Sequence, residues 1–252
     1  MPFTFSHPAI ILPLSKSKKI HLSFTGLIVG SMVPDFEFLL RLRNTENFGH
    51  MLPGIFIFDI PFAVILSFVF HYLVRNTLIL HAPKYFRQRF SELLSFNWTD
   101  YFERHTINFL IAVLIGVGSH FFLDSFTHEN TTLENWMPVL SKEVVIGKQS
   151  VPVYMILQGL TSLLGALYML WFIDKMKKGE DLQNAGNGTS YWISIGAATI
   201  LIFAVRLIVD TIHQSIADII IAGVGSFVYA VLFISLLYLR RTITAIKKSP
   251  GI

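Results

Sequence analysis

Apolar residues along this chain come in runs of about 20, separated by shorter stretches where the charges gather. Five runs can cross a bilayer as helices: Gly54–Val74, Ile107–Thr127, Pro152–Asp174, Tyr191–Thr211 and Ile216–Leu239. At 1.5 Å rise per residue, each covers about 30 Å. A sixth apolar element, Leu22–Leu42, carries Pro34, Asp35 and Glu37. Proline and carboxylates at membrane depth need protein around them, which predicts a broken or re-entrant helix. Arg75–Arg104 mixes basic and aromatic residues, and Tyr85–Leu94 has the pattern of an amphipathic segment lying on a membrane surface. The predicted class is an all-α polytopic membrane protein. Residues 1–175 form the embedded part, 176–190 a polar cytoplasmic linker that includes the glycine-containing Leu182–Ser190, and 191–252 a two-helix hairpin with a basic tail.

Composition agrees with this pattern. Of 252 residues, 53% are hydrophobic and 14% charged, against about 25% charged in a soluble domain. The 23 phenylalanines suit lipid-facing helices. Net charge is +4, and the basic residues cluster between spans, which speaks for topology and against nucleic acid as a partner. Met1–Leu14 has no basic region ahead of its apolar stretch, so no cleavable signal is expected. Arg240, Arg241, Lys247 and Lys248 follow the last span and predict a cytoplasmic C-terminus in the cell membrane. Counting back puts Lys175, Lys177 and Lys178 inside, together with Arg75, Lys84, Arg87, Arg89 and Arg104. Glu129–Val151 and Asn44–Pro53 then lie outside. Lys16, Lys18 and Lys19 leave two arrangements. If Leu22–Leu42 crosses, they are inside and His7 is on the side opposite the other polar residues. If it is re-entrant, His7 joins those residues and the lysines break the rule.

The chemistry-bearing residues stand where spans end. His120, Asp124 and His128, in SHFFLDSFTH, follow one another at i, i+4 and i+8 and make one polar stripe on a helix. Imidazole and carboxylate are metal ligands, and the absence of cysteine restricts any metal to nitrogen and oxygen donors. It also excludes disulfides and a cysteine nucleophile. His120 and His128 are about 12 Å apart along an unbroken helix, whereas metal–ligand bonds are about 2 Å. Either Asp124 sits between two ions, or the helix ends before His128. On the counted topology Asp35, His50, Asp59, Asp124 and His128 reach one outer level. Gly116 and Gly118, just ahead of His120, permit close helix approach. Arg206 and Asp210, one turn apart, read as a neutralising pair. His71 and His213 read as hydrogen-bonded interior residues, and His21, His81 and His105 as interfacial. No phosphate-binding glycine loop or serine elbow is written in the chain.

MPFTFSHPAIILPL, GLIVGSMVPDFEFLLRL, FGHMLPGIFIFDIPFAV and GSHFFLDSFTH followed by Trp136 resemble, over residues 1–175, the bacterial membrane family called domain of unknown function 4184. The order of an N-terminal His, a Pro-Asp pair, a His before an apolar span and a late His-x-x-x-Asp is also similar to the membrane-bound metal-dependent hydrolases and to the helical zinc-dependent phospholipase C group. That likeness implies metal-ligand roles for His7, Asp35, His50, His120 and Asp124, with His128 as an extra ligand. The chain departs from the hydrolase pattern at Asn47-Phe48-Gly49-His50, which lacks the usual neighbouring Arg and second His.

The resulting expectation is a metal-dependent hydrolase of a lipid-like phosphoester. Zinc, as one or two ions, is favoured over manganese or iron. Glu37 or Asp59 would position the attacking water. Membrane lipid is the expected partner, with substrate entering laterally. Two other readings compete: a proton- or ion-coupled transporter, which the lack of an internal repeat disfavours, and a scaffold whose His–Asp cluster locks helices together.

Overall fold

The computed structural model describes residues 4–16, 22–45, 48–179, 188–211 and 215–248. Lys18, Lys19, His21, His213 and residues 182–187 of the expected linker lie outside the described residues.

Six long helices dominate: α1 Phe24–Arg41, α2 Leu52–His81, α3 Trp98–Thr127, α4 Val153–Asp174, α5 Gly188–Val209 and α6 Ile216–Lys248. The five from α2 to α6 are long and apolar enough to cross a membrane, so this is a multi-pass helical membrane protein. Hydropathy marks the lipid-buried part of each helix, and three helices run on beyond it. α2 continues to His81, and α6 into the basic tail. α3 starts at Trp98, where Asn97 Oδ1 accepts from Asp100 N at 3.3 Å and caps the helix. A kink at His105, with φ −130° and ψ 27°, joins this polar start to the apolar remainder.

α1 does not break at Pro34. An interior proline forfeits one helical hydrogen bond, a cost of about 3 kcal/mol, and close packing against α3 holds the helix across that gap. α2 contains two π-helical turns, Ile55–Asp59 and Phe70–Val74. The segment expected to be amphipathic folds as a helix, Lys84–Phe90, and a 3-10 turn, Ser91–Ser95. Arg87 and Arg89 are buried there. Arg89 donates to Asp174 Oδ1 at 2.8 Å with its guanidinium 3.7 Å from the Tyr85 ring centre. A second departure is a small antiparallel hairpin, β1 Glu143–Ile146 and β2 Gln149–Pro152, turning at Gly147 with φ +65°.

The chain forms two compact units. The first takes residues 1–35, 49–63 and 102–172. In it, the N-terminal half of α1 crosses α3 at glycines. A Cβ at Gly30 would stand 2.3 Å from the Val113 carbonyl oxygen, and one at Gly116 2.6 Å from Ser31 N. Nothing lies within 4 Å of Gly118, so Gly116 alone of the expected pair sets the approach. Ile11, Leu27 and Ala112 fill the adjoining core. Gly165 of α4 receives Ser6, which seats the N-terminal turn.

The second unit takes residues 36–48, 64–101 and 173–252. α5 and α6 pack through Tyr191, Ile195, Ala230 and Ile234, with Tyr191 and Ser235 hydroxyls 3.0 Å apart. Arg206 pairs with Asp210 at 3.7 Å, as its spacing suggests, and also donates to Leu42 O at 2.9 Å. His81 is not interfacial. It is buried, with Nδ1 2.8 Å from Thr77 O and its ring stacked on Tyr191. Aromatic neighbours outweigh the polar flank that its sequence position suggests.

Candidate metal centre

The α1–α3 crossing lays His120 against the backbone of Ser31. His120 Nδ1 is 2.9 Å from Ser31 O. A carbonyl only accepts, so Nδ1 carries the hydrogen, and in the neutral ring Nε2 carries a lone pair. One helical turn after Ser31, Asp35 is fully buried, and Thr4 Oγ1 donates to its Oδ2 at 2.8 Å. Asp35 Oδ1 has no hydrogen-bond partner and lies 3.6 Å from His120 Nε2. One turn along α3, Asp124 Oδ2 is 3.1 Å from the same nitrogen. His50 arrives on a short 3-10 turn, Phe48–His50. Its Nε2 is 3.2 Å from His120 Nε2, 3.3 Å from Asp124 Oδ2 and 3.9 Å from Asp35 Oδ1.

These separations have the scale of a coordination polyhedron. A tetrahedron with bonds of about 2.0–2.1 Å has edges of about 3.3–3.4 Å. The three distances among His50 Nε2, His120 Nε2 and Asp124 Oδ2 run from 3.1 to 3.3 Å, and Asp35 Oδ1 stands 3.6 and 3.9 Å from the two imidazole nitrogens. The His50 and His120 rings meet at 69°, so lone pairs in their planes can converge on one point. Two carboxylate oxygens gathered around these imidazole nitrogens call for a positive charge among them, either an ion or a proton on an imidazole.

His7 and His128 serve the other side of Asp124. His7 stacks on His120 with centroids 4.2 Å apart and planes 17° apart, so its lone pairs run alongside those of His120 and do not converge with them. Its Nε2 is 3.4 Å from Asp124 Oδ1, and its Nδ1 is buried without a hydrogen-bond partner. α3 ends at Thr127, so His128 follows directly after the helix. The His128 N–H bonds to Asp124 O at 3.1 Å, and its Nδ1 comes within 3.5 Å of Asp124 Oδ1. Burial lowers the pKa of His128, with Asp124 opposing the shift. Among the described residues, two groups have ligand atoms all within 4.8 Å of one another: His50, His120 and Asp124, and His7, Asp35 and His120.

The two expected water-positioning carboxylates are not drawn in. Glu37 lies about 200° around the helix from Asp35 and pairs with Arg41 at 2.6 Å. Asp59 is fully buried on the first π-turn of α2 and belongs to neither ligand group. Thr4 and the Ser31 carbonyl went unforeseen. Thr4 had a faint signal, a hydroxyl three residues before His7, whereas a backbone carbonyl leaves no mark in a sequence.

Exposure across the centre is uneven. His7, Asp35 and His120 are fully buried, while the side chains of His50 and His128 are 27% and 30% exposed. Met51, Leu52 and Phe122, next in sequence or nearly so to His50 and His120, are exposed apolar residues.

Fold and centre together define a polytopic helical membrane protein with a buried histidine–aspartate cluster that could hold a metal ion. The chain belongs to the family described as domain of unknown function DUF4184, which matches residues 1–236. The match runs well past residue 175, so α5 and most of α6 are part of the family unit and not a generic addition. No curated protein and no solved structure matches the chain.

Proposed function

We propose that this protein is a membrane-embedded metalloenzyme that hydrolyses a lipid-like phosphoester. The observation carrying this reading is the triad of His50 Nε2, His120 Nε2 and Asp124 Oδ2, 3.1–3.3 Å from one another, which leaves a fourth position of a tetrahedral ion open for water, with Asp35 Oδ1 3.6 Å from His120 Nε2. Two imidazoles with two carboxylates suit zinc best, with manganese and iron next. When bound, such an ion supplies a Lewis acid and a water that ionises near neutral pH. The chain's own residues do the rest. Ser31 O fixes the His120 tautomer, and Thr4 aims Asp35. Asp124 Oδ1 lies between His7 and His128, which orient the carboxylate, and partly exposed His128 connects it to the outside. Glu37, held by Arg41, has no part in this. Exposed Met51, Leu52 and Phe122 beside the His50 edge support lateral entry of a lipid. The basic residues Arg240, Arg241, Lys247 and Lys248 at the end of α6 support a cytoplasmic C-terminus and an outward-facing centre.

A proton on His120 Nε2 in place of an ion would make the cluster a helix lock or a relay. Elemental analysis of protein purified without chelator separates the cases. About one zinc per chain is expected, lost in a His120→Ala, Asp124→Ala double variant; a second equivalent would belong beside Asp124 Oδ1. Protein free of transition metal, or metal retained by the double variant, overturns the proposal. Release of the headgroup from a fluorogenic lipid phosphoester tests the activity itself.

A further inference from the structure

We infer that residues 132–152, between α3 and α4, lie in the headgroup layer of the bilayer, with one face of the β1–β2 hairpin against lipid. This is independent of any metal.

Both ends of the segment are fixed at a membrane boundary. α3 ends at Thr127, and α4 begins at Val153. The first turn of α4 is bonded to the chain just ahead of β1: Val153 N to Lys142 O at 3.0 Å and Tyr154 N to Leu140 O at 2.9 Å. The hairpin is thus pinned to the mouth of a spanning helix.

Register then divides its side chains. Val144 pairs with Val151 and Ile146 with Gln149, so these four share one face. Glu143, Val145, Ser150 and Pro152 share the other, where Ser150 Oγ donates to Glu143. One face is mainly apolar and the other carries a polar pair. Every residue of β1 is exposed, and a two-stranded sheet covers neither of its faces. Such a hairpin is marginal in water by itself.

The preceding segment adds to the surface. Trp136 is 80% exposed, with Met137 and Val139 also exposed, while Leu140 is buried and anchors them. Tryptophan is the residue that favours the headgroup level of a bilayer. The apolar surface also continues directly into the outward-facing Met155, Leu160 and Leu163 of α4, a spanning helix that faces lipid. That continuity makes the bilayer the occupant.

The protein has no cysteine, so single spin labels report cleanly. The full chain would carry a label at Ile146→Cys, Trp136→Cys or Ser150→Cys, in vesicles of phosphatidylethanolamine and phosphatidylglycerol. Labels at 146 and 136 should relax readily with oxygen and lose access to a water-soluble nickel chelate, whereas 150 keeps that access. Equal nickel access at 146 and 150 overturns the inference. So does spin–spin broadening at 146 that dilution with unlabelled chain removes, because a second copy would then cover the hairpin. Gln149→Cys, on the same face as Ile146, gives the same readout should Ile146→Cys fail to fold.

Discussion

His71 and His120 are both buried imidazoles on spanning helices, one in each unit, and they face opposite kinds of partner. Arg75 Nη1 lies 2.9 Å from His71 Nδ1, and as a guanidinium it can only donate. The same nitrogen donates to Phe96 O at 3.0 Å, Arg75 Nε donates to Asn76 Oδ1 at 2.8 Å, and the His71 ring stacks on Trp98 at 4.3 Å. The Arg75 donors there meet acceptors. Around His120 Nε2 the neighbours are two carboxylate oxygens and another imidazole nitrogen, which is a surplus of lone pairs. A buried histidine in a membrane span therefore does not define a site. The balance of donors and acceptors around it does, and of these two clusters the one at His120 gathers the carboxylates.

The His120 cluster depends on helices held close by glycine, and the largest effect comes from pushing those helices apart. Gly30→Val would place a Cβ 2.3 Å from the Val113 carbonyl, a backbone atom that cannot move unless α1 leaves α3. Overpacking of this kind costs about 3 kcal/mol or more. It should lower the thermal midpoint in detergent and abolish metal binding together, since Ser31 and Asp35 ride on the same helix. Gly118→Ala, on the same face of the sequence pattern but with open space around it, should change neither. If Gly118→Ala were as damaging as Gly30→Val, the crossing described here would be wrong.

The next effect in size separates the two histidines. His71→Leu leaves the Arg75 guanidinium short of an acceptor, a loss of about 1–3 kcal/mol. It should destabilise equally with and without chelator, and leave bound metal unchanged. His120→Leu should remove the metal and, with it, the chelator sensitivity of the melting curve. A ligand at 100 times its Kd stabilises by about 2.7 kcal/mol, so the wild-type shift on chelation is large enough to read. A chelator effect that survives in His120→Leu would locate the ion elsewhere.

The sequence carried the spans well because hydropathy over a helix length is a strong, local signal. It carried less of what closes them. Helix ends such as Trp98 and Ile246 lie in polar stretches that hydropathy does not score, and they rest on a cap at Asn97 and on packing. The hairpin was invisible because four-residue strands around Gly147 leave little periodicity to detect. For the centre, His7, Asp35, His50, His120, Asp124 and His128 all come together, since charge in an apolar run is conspicuous. Their division of labour was not legible. Asp35 and Glu37 look alike in GSMVPDFEF, yet the helix turns one to the cluster and the other to Arg41. His7 and His50 look alike as ligands until ring orientation sets one stacked on His120 and the other edge-on.

The smallest predicted effect tests the support of a ligand and leaves the ligand itself in place. Thr4→Val deletes the hydroxyl that holds Asp35 Oδ2 while keeping nearly the same volume. Loss of such a support commonly weakens metal binding by about 10–100-fold. The matching change in the second unit is Thr77→Val, which removes a buried hydroxyl 3.2 Å from Thr242 Oγ1. Thr77→Val should cost a similar amount of stability without moving metal affinity. Competition titrations against a chromophoric chelator would read both. An affinity drop confined to Thr4→Val means that Asp35 is held in place for an ion. Equal, unchanged affinities would mean that Asp35 and Thr4 form a hydrogen bond as self-contained as that between Arg75 and His71, and the difference between the two clusters would shrink to His50, His120 and Asp124.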